Sequence, residues 1–367
     1  MRTIRRLIYR EVLAAVVFVA VGFLALFFFF DFVDELPNVT RGSSPYGMTQ
    51  ALAYVTLMIP SHLYELLPIA VLIGTIFVMA RLAQSSEYTI LRTSGLGPWR
   101  ALRTLLALGL MFTLLTFAAG DYLAPASDRT AQLLKARLAG SLSIGQTGAW
   151  LKERQADHTY NVNVNALTPD GNMLGVRIFE SDTRGFLVSV TQAPRAQFAD
   201  DGAWLLKDAE RNVFPSGGSK VIQVERAKVP SLRWPTAISP EMVSVALLKP
   251  ARMGTIDLFQ YIRHLEANGQ TSQRYEIEFW RKVFYPLSCM VMVVLALPFA
   301  YLHFRTGGIT GYVFGGVLIG ISFFLLNNVF GYIGNLQNWR PWLTAAAPGL
   351  IYSLVSLGAF GWLVLRR

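Results

Sequence analysis

What most limits the fold of this chain is where its charges are missing. Val12 to Phe30, Thr104 to Gly120, Val283 to Phe304, Ile309 to Gly334 and Trp342 to Leu365 carry no Asp, Glu, Lys or Arg, and Ala51 to Ala80 carries only Glu65. A helix needs about 20 apolar residues to cross the hydrocarbon core, so each stretch can span a membrane. Three precede a polar insert of domain size and three follow it. The expected fold is therefore a membrane α+β protein: six transmembrane helices in a 3+3 arrangement, with an extracytoplasmic domain inserted between helices 3 and 4. An even number of crossings leaves both termini on one side and Asp121 to Glu278 on the other.

Charge assigns the sides, because cytoplasmic segments collect Lys and Arg. The N-terminal arm (Arg2, Arg5, Arg6, Arg10, Glu11) and the loop after the second span (Arg81, Glu87, Arg92, Arg100, Arg103) are each net +3. Arg305 and the Arg366–Arg367 tail add to the same side. The Asp31 to Gln50 loop is net −2, and the insert, with 18 basic and 17 acidic residues, is almost neutral. The overall +10 is thus a topology signal. A nucleic-acid-binding face would concentrate its charge on the soluble domain. The first span is too long for a cleavable leader and is followed by bulky and charged residues, Phe27 to Asp34, so it reads as a retained anchor. Cys289 lies within the fourth span, which leaves the insert no disulfide. His62, His158, His264 and His303 have no ligand spacing, and no metal site is expected.

The insert reads as β-structure. Alternating runs occur at 149–151, 160–164, 174–179, 186–190, 203–206, 212–214 and 220–224, separated by turn sequences at 169–172, 182–185, 200–202 and 215–218. Strands at this spacing suggest a sandwich or jelly roll. Periodicity leaves open whether it is a purely structural domain or a channel for an apolar ligand. Ile256, Phe259, Ile262 and Leu265 then mark one stripe of a connecting helix at about 255–268, stopped by Asn268–Gly269.

Several chemistries are unsupported. The chain has no Gly-Lys pair, hence no phosphate-cradling G-x-x-x-x-G-K-[ST] loop, and neither a G-x-S-x-G elbow nor H-E-x-x-H. ATP-driven work would need another subunit. Glu65, bracketed by Pro60 and Pro68 with His62 at i−3, is expected to snorkel or to pair with His62, a proton-relay role being the alternative. Ser85 to Gly95 reads as a short helix with a Ser cap, an acid in its first turn and a Gly stop, Tyr88 and Leu91 sharing a face. It is either a tight connector or a coupling helix for a soluble motor. Gly311-x-x-x-Gly315 and Gly316-x-x-x-Gly320 fit close helix packing, and Asn327–Asn328 are expected as buried amides in need of partners. The same residues would suit a gate.

Three motifs together resemble the lipopolysaccharide export permeases, the paired F- and G-type membrane subunits of the Lpt transporter. They are Phe32-Val33-Asp34-Glu35-Leu36; Arg81-Leu82-Ala83-Gln84-Ser85-Ser86-Glu87 with Ser94-Gly95; and Arg274-Tyr275 with Phe279 to Ser288. The first and third are more similar to the G-type subunit. The match extends over essentially the whole chain and implies domains at 1–124 (helices 1–3, coupling helix at about 85–95), 125–270 (a periplasmic β-jelly roll) and 271–367 (helices 4–6). It implies a multi-pass protein in the inner membrane of a Gram-negative bacterium, with both termini cytoplasmic. This permease subunit would extract lipopolysaccharide and pass it through periplasmic jelly rolls toward the outer membrane. The chain itself would be non-catalytic and hold no cofactor. ATP and Mg would be bound by an LptB-like homodimeric cytoplasmic ABC ATPase. Further implied partners are an LptF-like permease sibling, a single-span LptC-like protein and an LptA-like periplasmic bridge.

By the same resemblance Glu87 is the coupling acid, with Tyr88, Ile90, Leu91, Ser94 and Gly95 around it at the ATPase. Phe23, Phe27 and Phe30 would touch acyl chains, and the fifth span, with Gly311, Gly315 and Asn327, would be a gate helix. Relatives often carry Lys suited to lipid phosphates just outside the first span, where this chain has Asp31, Asp34 and Glu35 with Arg41 as the nearest base, so this loop departs from the pattern. The head group differs, a divalent cation bridges, or the partner supplies the charge. Rival readings are a force-transmitting subunit that moves no lipid, an envelope-lipid enzyme using Glu65 with Asp31 or Asp34, and an anchor for the β-domain.

Overall fold

The computed structural model describes residues 2–40, 47–139, 142–143, 148–168, 170–199, 202–214, 224–246, 250–301 and 309–365. Arg41, His303, Arg305, the Arg366–Arg367 tail, the turn at 215–218 and residues 220–223 of the last expected strand lie outside them, as do Pro169 and Asp200–Asp201.

Among the described residues, six helices are long and apolar enough to cross a membrane. They are built from α1 (Arg2–Thr40), α2 (Met48–Gln84), α4 (Pro98–Ala118) running on into α5 (Ala124–Ala139), α8 (Gln273–Phe284) with α9 (Ser288–Ala296), α10 (Ile309–Leu336) and α11 (Pro341–Leu365). The short α3 (Glu87–Thr93) joins the second and third. The third span does not stop at Gly120: a π-turn at Ala119–Leu123 carries it into α5. Gly120 sits against the Tyr64 ring, and its freed carbonyl accepts from Lys282 Nζ at 2.8 Å. A buried ammonium needs such a partner, and π-turns release carbonyls.

The chain divides into two compact units. One comprises 1–34, 55–127 and 273–367, the other 35–54 and 128–272. In the first, Ile8, Val12, Val16 and Ala20 recur at i+4 and are buried, giving α1 one inward stripe. Gly74 of α2 meets that stripe: a Cβ there would lie 2.8 Å from the Val16 backbone nitrogen. Gly109 of α4 makes the same kind of approach to Met290 of α9.

The second unit holds one antiparallel sheet. Its strands are β1 (Leu142–Ser143), β2 (Ala149–Arg154), β3 (His158–Leu167), β4 (Met173–Asp182), β5 (Leu187–Phe198), β6 (Ala203–Val213) and β7 (Glu225–Pro235), with β1 and β2 both paired to β3 and the rest a meander. Leu151, Val162 and Ile178 line up across strands, as do Ala196, Leu206 and Leu232, so one face is apolar. Trp204 is fully buried, and its indole N–H donates to the Ile238 carbonyl at 2.7 Å. Two expected strands, 203–206 and 212–214, are a single strand, β6. β7 escaped the sequence reading because Arg226, Lys228, Pro230 and Arg233 break its alternation. Such residues are what an edge strand carries to discourage further pairing.

A row of interruptions crosses the whole sheet. The registers set Gly148 opposite Asn165, Asn165 opposite Gly175, Gly175 opposite Pro194, Pro194 opposite Asp208 and Asp208 opposite Pro230. Gly148, Gly175 and Asp208 all have positive φ, at 66°, 61° and 51°. Prolines on both neighbouring strands offer Asp208 no N–H, so the pairing of β6 is interrupted there. Glycine kinks and unpaired residues aligned in this way let a sheet curve around its own apolar face. Gly175→Ala would put a Cβ 2.5 Å from the Asn165 amide at a left-handed backbone. It is expected to cost the β-unit about 1–3 kcal/mol, read as faster hydrogen exchange in β3 and β4 of the full chain.

After the sheet come α6 (Pro240–Ala246) and α7 (Thr255–Ala267), and α7 ends as expected, with Gly269 at φ 62° and its N–H on Glu266, and the Gln270 N–H on Leu265. Its buried face is a correction: it consists of Leu258, Tyr261, Ile262 and Leu265, whereas Ile256 and Phe259 are exposed. Strict i+3 spacing drifts by about 60° per step on a helix of 3.6 residues per turn, which puts Ile256 and Leu265 on opposite sides.

Candidate functional site

The first candidate is the link from α2 to α4. α2 ends at Gln84, and the chain turns at Ser86, which adopts a left-handed φ of 60° and makes no side-chain cap. The expected Ser cap is therefore absent. The tight reversal uses Ser86 for its backbone conformation, and Ser85 Oγ is spent on the Arg81 carbonyl at 3.1 Å. The Gly stop is present in full: the Gly95 N–H bonds to Arg92 and the Leu96 N–H to Leu91, with Gly95 at φ 98°. This is the double closure that a left-handed C-terminal residue permits.

α3 has two faces. Tyr88 is 2% exposed, its ring edge-on to Tyr301 at 5.2 Å, and Arg92 lies over the same Tyr301 ring at 5.3 Å. Burial, with the Tyr301 hydroxyl second, holds the Tyr88 phenol above its ordinary pKa, so this anchor does not ionise. Leu91 is partly buried beside Leu96 in the transmembrane core. Glu87, Ile90 (62% exposed) and Ser94 face outward. Of the six residues expected at a motor, Tyr88 and Leu91 thus fasten the helix to the bundle, and Glu87, Ile90 and Ser94 are presented.

The second candidate is the surface formed by α1, α2 and α10. A cavity of about 590 Å³ is lined by Ala15, Phe18, Val19, Ile73, Phe77 and Val313. At one end Arg81 Nη2 pairs with Glu11 Oε2 at 2.7 Å. Of the expected acyl-contact face, Phe30 is exposed while Phe23 and Phe27 are half-buried, and the Phe27 ring lies 5.0 Å from His62. Phe18 (81% exposed), Leu26 and Phe29 of α1 are exposed along with Phe30. Gly311 and Gly315 face open space, whereas Gly316 and Gly320 pack on Ile76 and Ile69 of α2, each 2.8 Å from an added Cβ. The two small-residue motifs therefore split: the second is a helix contact and the first an open face.

Polar residues sort similarly. Asp31 Oδ2 meets His62 Nε2 at 2.6 Å, so His62 has a hydrogen-bond partner in the first span. Glu65 is exposed and its backbone carbonyl accepts from the Tyr285 hydroxyl. Asp34 is exposed. Asn327 is buried and its amide donates to the Phe323 carbonyl at 3.1 Å. Asn328, expected to be buried, is exposed and accepts from Arg281 at 2.8 Å. Consecutive residues on a helix point about 100° apart, so one Asn could face in and the other could not. Ala70-x-x-x-Gly74 in α2 was a legible small-residue pair that the sequence reading passed over. The Asp31–His62 and Glu11–Arg81 pairs had no sequence signal, since their members lie far apart in the chain.

Residues 6–366 match the family model described as lipopolysaccharide export system permease LptF/LptG. Similar proteins include the lipopolysaccharide export system permease protein LptG of Escherichia coli (strain K12). It is 28% identical over 339 residues, which cover 92% of this chain and 90% of that one. LptG of Haemophilus influenzae (strain ATCC 51907 / DSM 11121 / KW20 / Rd) is 25% identical over 368 residues, 100% and 99% of the two chains. With six apolar helices, a β-unit inserted between the third and fourth, and this match from end to end, the chain belongs to the lipopolysaccharide export system permease LptF/LptG family.

Proposed function

We propose that the chain is the G-type permease of a lipopolysaccharide exporter in the inner membrane, working with an LptF-like sibling and driven by an LptB-like ATPase. The family match over residues 6–366 carries this reading. The relatives it aligns with are named as G-type permeases. In this reading α3 is the coupling helix. Its outward Glu87, Ile90 and Ser94 meet the ATPase, and Tyr88 and Leu91 pass the motion to the cytoplasmic end of the fourth span through Tyr301. The exposed apolar side chains of α1 and the open Gly311–Gly315 face of α10 would border the lipid path, and the β-unit would receive the lipid for an LptC-like and an LptA-like bridge. ATP and Mg belong to the ATPase, and this chain performs no catalysis.

The test is an affinity pull-down of the tagged full-length chain from native membranes in mild detergent. A soluble ATPase and a second six-span relative are the expected companions. Glu87→Ala removes an exposed charge at the proposed contact, and loss of a contact worth about 1.4 kcal/mol weakens binding about tenfold. ATPase recovery should therefore fall about tenfold with no change in thermal stability. Recovery of the chain alone, under conditions that keep other membrane complexes intact, would defeat the proposal.

A further inference from the structure

A polar recess of about 360 Å³ lies between the start of α8 and the end of α10. Arg274, Glu278 and Arg281 line one wall at i, i+4 and i+7, and Asn328, Tyr332 and Asn335 line the other at the same spacing. Arg281 is held in place: one guanidinium nitrogen donates to Asn328 Oδ1 at 2.8 Å and the other lies 3.4 Å from Glu278 Oε1. Arg274 is exposed and has no ion pair or hydrogen bond among the described residues. With Glu278 engaged by Arg281, the lining has one positive charge in excess. The Asn328 amide has used its oxygen and keeps its N–H donors, and Asn335 adds another amide.

The depth of the recess is fixed by its surroundings. The uncharged stretch of the fourth span begins at Val283, directly after Arg281 and Lys282. Trp280 stacks on Phe284 at 5.8 Å, and Tyr332, Trp339 and Trp342 are exposed in the same region of the chain, where α10 ends and α11 begins. Trp and Tyr collect at the level of lipid head groups. Guanidinium forks match the oxygens of a phosphate, and one net positive charge balances a phosphodiester.

We propose that this recess binds the phosphate of a membrane lipid, held by Arg274 and Arg281 and completed by the amide donors of Asn328 and Asn335. The proposal rests on the membrane-spanning fold and not on the transport reading, so each can fail without the other. The membrane face concerned is the one on which the chain enters its fourth span.

The experiment places the photoreactive residue benzoylphenylalanine at Tyr332 of the full-length chain in cells grown on ³²P-phosphate. Leu354, an exposed residue of α11, is the control position. After irradiation, a radiolabelled lipid adduct is expected at 332. Arg274→Ala should lower its yield about tenfold, the loss of one charge-assisted contact, and Arg274→Lys should retain part of it. Labelling at 354 should not change. Arg274 is exposed and unpaired, so its truncation leaves the fold intact. Equal labelling at 332 with and without Arg274, or a parallel fall at 354, would overturn the site. Equilibrium dialysis of the purified chain against inorganic phosphate separates the two sources of phosphate. Saturable binding that Arg274→Ala abolishes would assign the recess to a soluble anion and overturn the lipid proposal; no saturable binding supports it.

Discussion

Tyr88→Ala is expected to release α3 from the membrane bundle while the six spans stay folded. α3 has seven residues, too few to persist as a helix in water without tertiary support. Its support is the fully buried Tyr88 ring on Tyr301, together with Leu91 and Leu96. Truncating a buried aromatic costs about 3–5 kcal/mol, more than so short an element gains elsewhere. Hydrogen exchange at residues 87–95 should rise to that of an open loop, and ATPase recovery should fall with it. Tyr88→Phe keeps the ring contact and should stay within about 1 kcal/mol of the parent. The comparison with Glu87→Ala separates two roles: both variants should lose the ATPase, but only Tyr88→Ala should alter exchange. Unchanged protection in Tyr88→Ala would show that α3 is held by something other than this anchor.

Gly74 substitutions are expected to be strongly destabilising within the spans. An added Cβ would sit within 3 Å of the Val16 nitrogen, Cα and a methyl carbon, so backbone as well as side chain must yield. Ala should cost about 1–3 kcal/mol, and Leu should push α1 off its buried Val12, Val16 and Ala20 stripe. Gly311→Ala and Gly315→Ala meet nothing within 4 Å and gain up to about 1 kcal/mol of helix propensity. Thermal denaturation of the purified full chain in one detergent ranks the set: Gly74→Leu lowest, Gly74→Ala next, Gly311→Ala and Gly315→Ala at or above the parent. A Gly74→Leu chain as stable as Gly311→Ala would mean that α1 and α2 do not meet at Val16.

These two positions illustrate how unevenly the sequence speaks. The Gly95 stop could be read directly, because a left-handed residue closing a helix is a local matter of three or four residues. So could Asn268–Gly269 at the end of α7. The face of α3 that Tyr88 occupies could be named, but not whether it pointed to the bundle or to a partner. The i+3 stripe of α7 misled because spacing by threes only approximates a helical face. In the β-unit, runs rich in β-branched and aromatic residues announced their strands, while β7, charged and proline-bearing as an edge strand needs to be, did not. Gly148, Gly175, Pro194, Asp208 and Pro230 were each visible as turn-like residues. That they form one line across the sheet emerged only from the registers.

The sequence by itself determined the six spans, the insert between the third and fourth, and the end-to-end resemblance to the family. Whether a segment enters lipid depends on a sum of residue transfer free energies along one stretch of chain, and that sum can be taken from the letters. Only the tertiary structure decided that Gly74 and Gly316 are contacts while Gly311 is open. It also decided that His62 answers Asp31, and that Arg274 and Arg281 share a recess with residues some fifty positions away. Those outcomes depend on which faces of distant helices meet. That choice belongs to the packing of the whole bundle, and no local pattern encodes it.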